Sequence, residues 1–96
     1  MGILVHLEAN AKPECVSEMS ESLATLFPET RVYDGCIDIT AYLNDDGHTF
    51  IFTEHWETKE QYEKYLAWRQ ETGVLDKLVS LLQEPPTIRY FEAVKA

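Results

Sequence analysis

Val32-Tyr33-Asp34-Gly35-Cys36-Ile37-Asp38-Ile39-Thr40-Ala41-Tyr42-Leu43, then Asn44-Asp45-Asp46-Gly47, then His48-Thr49-Phe50-Ile51-Phe52-Thr53-Glu54-His55-Trp56, is the stretch on which the fold turns. Its first part is rich in Val, Ile, Tyr and Thr, which pack well on a pleated surface, and it predicts a strand from Val32 to Leu43. Gly35 near the start marks a bulge or a close approach of backbone to another part of the chain. Asn44-Asp45-Asp46-Gly47 is a turn signal, so His48 to Trp56 is the second arm of a hairpin. Successive strand side chains alternate between faces. Phe50, Phe52, Glu54 and Trp56 therefore share one face, and Thr49, Ile51, Thr53 and His55 the other.

Outward from the hairpin, Thr58-Lys59-Glu60-Gln61 reads as a capping box, with Thr58 capping and Gln61 reaching back. A helix runs from there to about Arg69, and Gly73 supplies a left-handed C-terminal cap. Leu75, Leu78, Val79 and Leu82 form another apolar stripe, so a further helix follows, stopped by Pro85-Pro86. Ile88 to Val94 is the last strand. Upstream, Ile3 to Ala9 is the first strand. Lys12-Pro13 opens a helix carried by Val16, Met19, Leu23, Leu26 and Phe27, and Pro28 is expected to end it. The order β-α-β-β-α-α-β is an α+β, ferredoxin-like arrangement, an antiparallel sheet with helices on one face. It occupies the single domain 1–96, with no linker or repeat. Strand residues on both faces are substantially apolar, so the sheet's other face needs cover. A homodimer is expected on that ground.

Seventeen acidic against 8 basic residues give a net charge of −9. That balance repels phosphate backbones and anionic lipid, so no nucleic-acid or membrane partner is expected. No stretch approaches the roughly 20 apolar residues of a membrane helix. The opening Met1-Gly2-Ile3-Leu4-Val5-His6 lacks the basic segment and the long apolar run of a secretory signal, and His6 stands where a myristoylation motif wants Ser or Thr. A cytoplasmic location is expected, with Cys15 and Cys36 as reduced, partly buried thiols. No His/Cys cluster has zinc spacing, so no metal is expected.

Chemistry concentrates in the aromatic group Trp56, Tyr62, Tyr65 and Trp68, with Tyr62, Tyr65 and Arg69 on one helical face. Such rings hold a flat aromatic molecule well, and they serve equally as helix-to-sheet core. Arg69 has the charge to favour a phenolate, and it is more often a surface residue paired with an acid. Glu54 shares a strand face with Phe52 and Trp56. Buried there, its carboxyl would bind protons more tightly and could shuttle one, or simply accept structural hydrogen bonds. His48, just past the turn, is expected to be solvated, whereas His6 and His55 sit on strand faces the sequence does not assign. No nucleophile elbow, phosphate loop or dinucleotide motif occurs.

Several pieces together resemble the antibiotic biosynthesis monooxygenase family. They are Lys12-Pro13 opening the first helix, Thr30-Arg31 followed by Gly35-Cys36 and Tyr42 into the second strand, and Glu54-His55-Trp56 closing the third strand before a capped helix. They span roughly residues 3 to 70. The resemblance implies a dimeric α/β barrel with a cavity in each monomer between sheet and helices. It also implies oxidation of a small aromatic or quinol substrate, such as an anthrone, by dioxygen with no cofactor, metal or flavin. On that resemblance Trp56 and Tyr62 fall at the catalytic place; Glu54 joins them as a candidate from its shared strand face, and Phe52, Tyr65, Trp68 and Arg69 are the expected substrate-binding residues from their faces and chemistry. The chain departs from the pattern where many members carry a histidine in the helix after the tryptophan. Here the stretch reads Tyr65-Leu66. A haem-degrading branch uses Asn, Trp and His together; Asn10 and Tyr65 stand loosely near two of those places, but no histidine follows His55. The alternatives to an oxygenase are a non-catalytic small-molecule-binding or accessory domain and an isomerase or decyclase on the same fold.

Overall fold

A computed structural model describes residues 2–96; Met1 lies outside the described residues. Four strands and three helices form: β1 Ile3–Asn10, α1 Val16–Arg31, β2 Cys36–Leu43, β3 Thr49–Trp56, α2 Lys59–Glu71, α3 Val74–Val79 and β4 Thr87–Glu92, with a 3₁₀ turn, Pro13–Cys15, leading into α1. The sheet order is β2-β3-β1-β4, every pairing antiparallel. This is the expected ferredoxin-like α+β arrangement.

The hairpin alternation holds. Phe50, Phe52, Glu54 and Trp56 of β3, with Val5, Leu7 and Ala9 of β1, are buried under the helices. Register places Val5 opposite Glu54 and Leu7 opposite Phe52. Two clusters make up the core. One gathers Leu7, Met19, Leu23, Phe27, Ile39, Phe50 and Phe52. The other gathers Val5, Trp56, Tyr62 and Tyr65. The opposite sheet face carries Tyr42 and Phe91, both largely exposed, and Leu4 and Ile51, half-buried. His6 and His55 share that face: His6 pairs across β1–β3 with Thr53, and His55 bonds Asp38 (Nδ1 to Oδ1, 2.8 Å).

Four expectations are corrected. Helix α1 does not stop at Pro28 but runs to Arg31, with the proline inside its last turn. A proline there removes one helical hydrogen bond and crowds the preceding turn. The turn survives because α2 grips it from outside: Arg69 donates to the Leu26 carbonyl at 3.0 Å, to the Thr30 hydroxyl at 3.1 Å and to Glu29 at 3.0 Å. Strand β2 then begins at Cys36, not Val32, because Tyr33 N–H bonds the Thr30 carbonyl and Cys36 N–H bonds the Tyr33 carbonyl in a tight turn. Strand β4 ends at Glu92 rather than Val94. His48 is half-buried, with Nδ1 bonded to Asn10 Oδ1 at 2.5 Å, which ties the hairpin to the end of β1.

Gly35 is required twice over. Its φ is +94°, and a Cβ there would come within 2.6 Å of the Gln61 side chain. The register shift itself falls between Cys36 and Asp38, one residue further on. Gln61 belongs to the cap of α2: the Thr58 hydroxyl accepts from Gln61 N–H (3.1 Å) and donates to Gln61 Oε1 (2.9 Å). The turn before β2 is therefore packed against the start of α2, the helix that carries the aromatic face.

Candidate functional site

An interior cavity of about 50 Å³ lies where the two core clusters meet, between the sheet and all three helices. Leu7, Ile39, Phe52 and Glu54 form its floor, and Leu23, Leu26 and Phe27 of α1 its side. Tyr62, Tyr65, Leu66 and Arg69 of α2 face them, and Val74, Leu75 and Leu78 of α3 close the top. The wall is apolar except for Glu54, the two tyrosines and Arg69. The alternation of β3 delivers Phe52 and Glu54, and the α2 spacing delivers Tyr62, Tyr65 and Arg69, all three buried.

Glu54 is 2% exposed, and no ion pair among the described residues reaches it. Its Oε1 accepts from the Trp56 indole N–H at 3.0 Å. Burial pushes its carboxyl up to about 7, and the Trp56 hydrogen bond pulls the other way. A carboxyl so placed changes charge near neutrality and has the affinity of a usable general base. Across the cavity, Tyr62 is 1% exposed and its hydroxyl has no hydrogen-bond partner. Burial holds that phenol well above its ordinary range, and the Glu54 charge adds to the effect. A buried hydroxyl with no protein partner costs roughly 1–3 kcal/mol, so it is a donor open to a ligand atom or a water in the cavity.

Tyr65 and Arg69 are differently disposed. Arg69 Nε donates to the Tyr65 hydroxyl at 3.0 Å, and its Nη groups hold Glu29, Leu26 and Thr30. The Thr30 hydroxyl accepts from Arg69 and donates to the Leu26 carbonyl at 3.3 Å. The 2.7 Å contact between Tyr65 and Thr30 is thus satisfied with Tyr65 as donor. The phenol proton of Tyr65 points at Thr30 and the guanidinium is occupied by the end of α1. Burial works against the Arg69 charge, but the bonds from Tyr65 and Glu29 outweigh it and hold its pKa above the ordinary value. Arg69 borders the cavity as the clasp of α1 rather than as a free cation.

The two tryptophans do not line the cavity. Trp56 is fully buried behind it, with ring centroids 5.4 Å from Tyr62 and 5.1 Å from Tyr65, and it reaches the cavity only through Glu54. Trp68 stacks on Tyr33 at 5.2 Å and carries the Arg69 guanidinium 4.5 Å from its ring. Of the seven residues the sequence singles out, Phe52, Glu54, Tyr62, Tyr65 and Arg69 come together on the cavity wall. Sequence reading missed Tyr33, Glu29 and Thr30 and the whole α3 roof. Asn10 lies at the far end of β1, bonded to His48, away from this site. Among the described residues no three His, Cys, Asp or Glu side chains gather in a way that could hold a metal.

Residues 2–76 match the model of a family described as antibiotic biosynthesis monooxygenase. The chain also superposes closely on solved structures. With Rv0793 from Mycobacterium tuberculosis the TM-score is 0.86 at 17% identity, covering 100% of this chain and 98% of that one. With a conserved protein from Methanosarcina mazei Go1 it is 0.85 at 22% identity, covering 95% and 91%. With a monooxygenase from the ActVA-Orf6 gene of Streptomyces coelicolor, solved in complex with nanaomycin D, it is 0.82 at 20% identity, covering 99% and 89%. At these identities the superpositions show the shared fold.

Proposed function

The chain belongs to the antibiotic biosynthesis monooxygenase family, and from that premise we propose that it oxidises a small, neutral aromatic substrate with dioxygen in the cavity between sheet and helices. The observation that carries the reading is the pairing of Glu54 with the unpartnered Tyr62 hydroxyl across an apolar void. Glu54 takes a proton, and the Tyr62 O–H donates to the oxygen on which negative charge then builds. The substrate is neutral because Arg69, the cation on this wall, is spent on α1 and a carboxylate would face Glu54 unpaired.

For a ring methylene beside a carbonyl, the balance closes without an outside reductant. The C–H proton passes to Glu54 and leaves an enolate, with Tyr62 donating to its oxygen. The enolate reduces dioxygen by one electron and the two radicals join as a peroxide at carbon. The peroxide takes the proton back, and loss of water leaves a second carbonyl. One oxygen atom enters the product and the other leaves in water.

Trp56 supports this from behind, holding Glu54 in one rotamer through its indole N–H. A second copy of the chain covers the Tyr42 and Phe91 face in this reading, which is consistent with the apolar side chains left open there. The two free thiols suit a reducing, cytoplasmic setting. The test is oxygen uptake by chelator-treated protein with anthrones, naphthols and hydroquinones. Uptake that falls at least tenfold in Tyr62→Phe is expected. Saturable binding of these compounds with no uptake would replace the oxygenase with a binding module, and turnover independent of oxygen would replace it with an isomerase.

A further inference from the structure

The interior cavity is too small for the substrate it is meant to hold. An engineered protein cavity that takes up benzene has about 150 Å³, and this one has about 50 Å³. A second void explains how the space is enlarged. A groove of about 190 Å³ lies outside, on the seam between α1 and α3, lined by Ser22, Thr25, Leu26, Val74, Lys77 and Leu78. Leu26, Val74 and Leu78 line both voids. Three apolar side chains therefore lie between the outer groove and the wall that carries Glu54 and Tyr62.

The roof is weakly held. No residue of α3 is buried, although it closes a cavity lined by buried groups. Its start is Gly73, at φ +82° with nothing near the place of a Cβ. Its polar ties to α2 are a backbone bond at the joint, Gly73 N–H to the Gln70 carbonyl at 3.1 Å, and the exposed pair of contacts from Gln70 to Asp76, at 3.1 and 3.2 Å. Its far end is anchored: Leu81 and Leu82 are buried, and Lys12 N–H bonds the Leu81 carbonyl at 2.9 Å. A glycine joint to α2 at one end and a buried anchor at the other leave an unburied short helix between them, the mechanical form of a short flap, and segments of low local stability open most readily.

We propose that the α1–α3 seam is the entrance to the cavity, that α3 swings from Gly73 to open it, and that Leu26, Val74 and Leu78 set the size of substrate admitted. Opening joins the inner void to the groove, giving room for one or two fused rings and crowding three. The substrate class is thereby narrowed to naphthol-sized phenols and enols rather than anthrones. This size selection rests on the oxygenase reading; the entrance itself does not.

Two measurements separate them. In a Cys15→Ser, Cys36→Ser background, Leu7→Cys places a thiol on the cavity floor, with Ile39→Cys as the substitute should that variant not fold. Labelling by methyl methanethiosulfonate in native buffer is expected to proceed at a rate nearly independent of low urea, and to rise about tenfold with Leu78→Ala or Leu26→Ala. Labelling that tracks global unfolding in urea and changes only with stability would overturn the entrance. The second measurement is anaerobic binding of 1-naphthol and of anthrone. Wild type is expected to prefer 1-naphthol at least tenfold, and Leu78→Ala to narrow that ratio. Equal affinity for both, unmoved by Leu78→Ala, would overturn the size selection. Accelerated labelling with no aromatic bound would keep the entrance and remove the oxygenase reading.

Discussion

Glu54→Gln tests the buried carboxyl without any substrate. In the folded protein Glu54 holds its proton up to about pH 7, against an ordinary value of 4.5. At about 1.4 kcal/mol for each tenfold change in proton affinity, that separation is worth about 3 kcal/mol. An acid whose folded pKa stands above its unfolded one binds its proton more tightly when folded. Its contribution is therefore fully present below about pH 4.5, declines as the pH rises toward 7, and is gone above it. Because Glu54 is 2% exposed, solvent does little to screen the effect. Glutamine keeps the shape and still accepts from the Trp56 N–H, but it has no charge to bury. Urea denaturation of both proteins from pH 4.5 to 8.5 is the assay. The two should be about equally stable at the acid end. The glutamine variant should be more stable by about 3 kcal/mol at the alkaline end, with the gap opening between 4.5 and 7. A stability difference that stays constant across that range would refute the claim that Glu54 is buried without a compensating charge.

Other consequences follow from single residues. Tyr62→Phe removes a hydroxyl that has no partner, so the free protein should be unchanged or more stable by about 1 kcal/mol in thermal denaturation even as oxygen uptake falls. Gly35→Ala forces a side chain into a left-handed backbone and against Gln61, and should cost roughly 1–3 kcal/mol in the same assay. Light scattering at micromolar concentration should return twice the mass of one chain; a monomer mass would remove the second copy from the Tyr42 and Phe91 face.

The parts of the site that follow a regular period were legible in the sequence. Period-2 alternation in β3 placed Phe52 and Glu54 on one face, and helical spacing in α2 placed Tyr62, Tyr65 and Arg69 together. What the periods do not encode is which member of a face reaches a void. Trp56 shares the Glu54 face, yet it lies at the strand's end under Tyr62 and Tyr65, where the rings leave no space. Reading Pro28 as a stop hid Glu29 and Thr30, because the local penalty of proline was outweighed by Arg69, distant in sequence and bonded to the same turn. Tyr33 was hidden by the same error, assigned to a strand when it belongs to the turn that stacks on Trp68. The α3 stripe was visible, but its role as a roof depends on how α1 and α3 meet, which no local pattern records.

The measurement that bears most directly on the account is the pH profile of oxygen uptake with a naphthol substrate, wild type beside Glu54→Gln. The wild-type rate should rise with pH through a single ionisation near 7, as Glu54 loses its proton and becomes able to accept one from substrate. In Glu54→Gln the rate should fall at least a hundredfold and lose that rise, while anaerobic binding persists. A glutamine variant with wild-type rate and profile would contradict Glu54 as the proton acceptor, and with it the assignment of this cavity as the site of reaction.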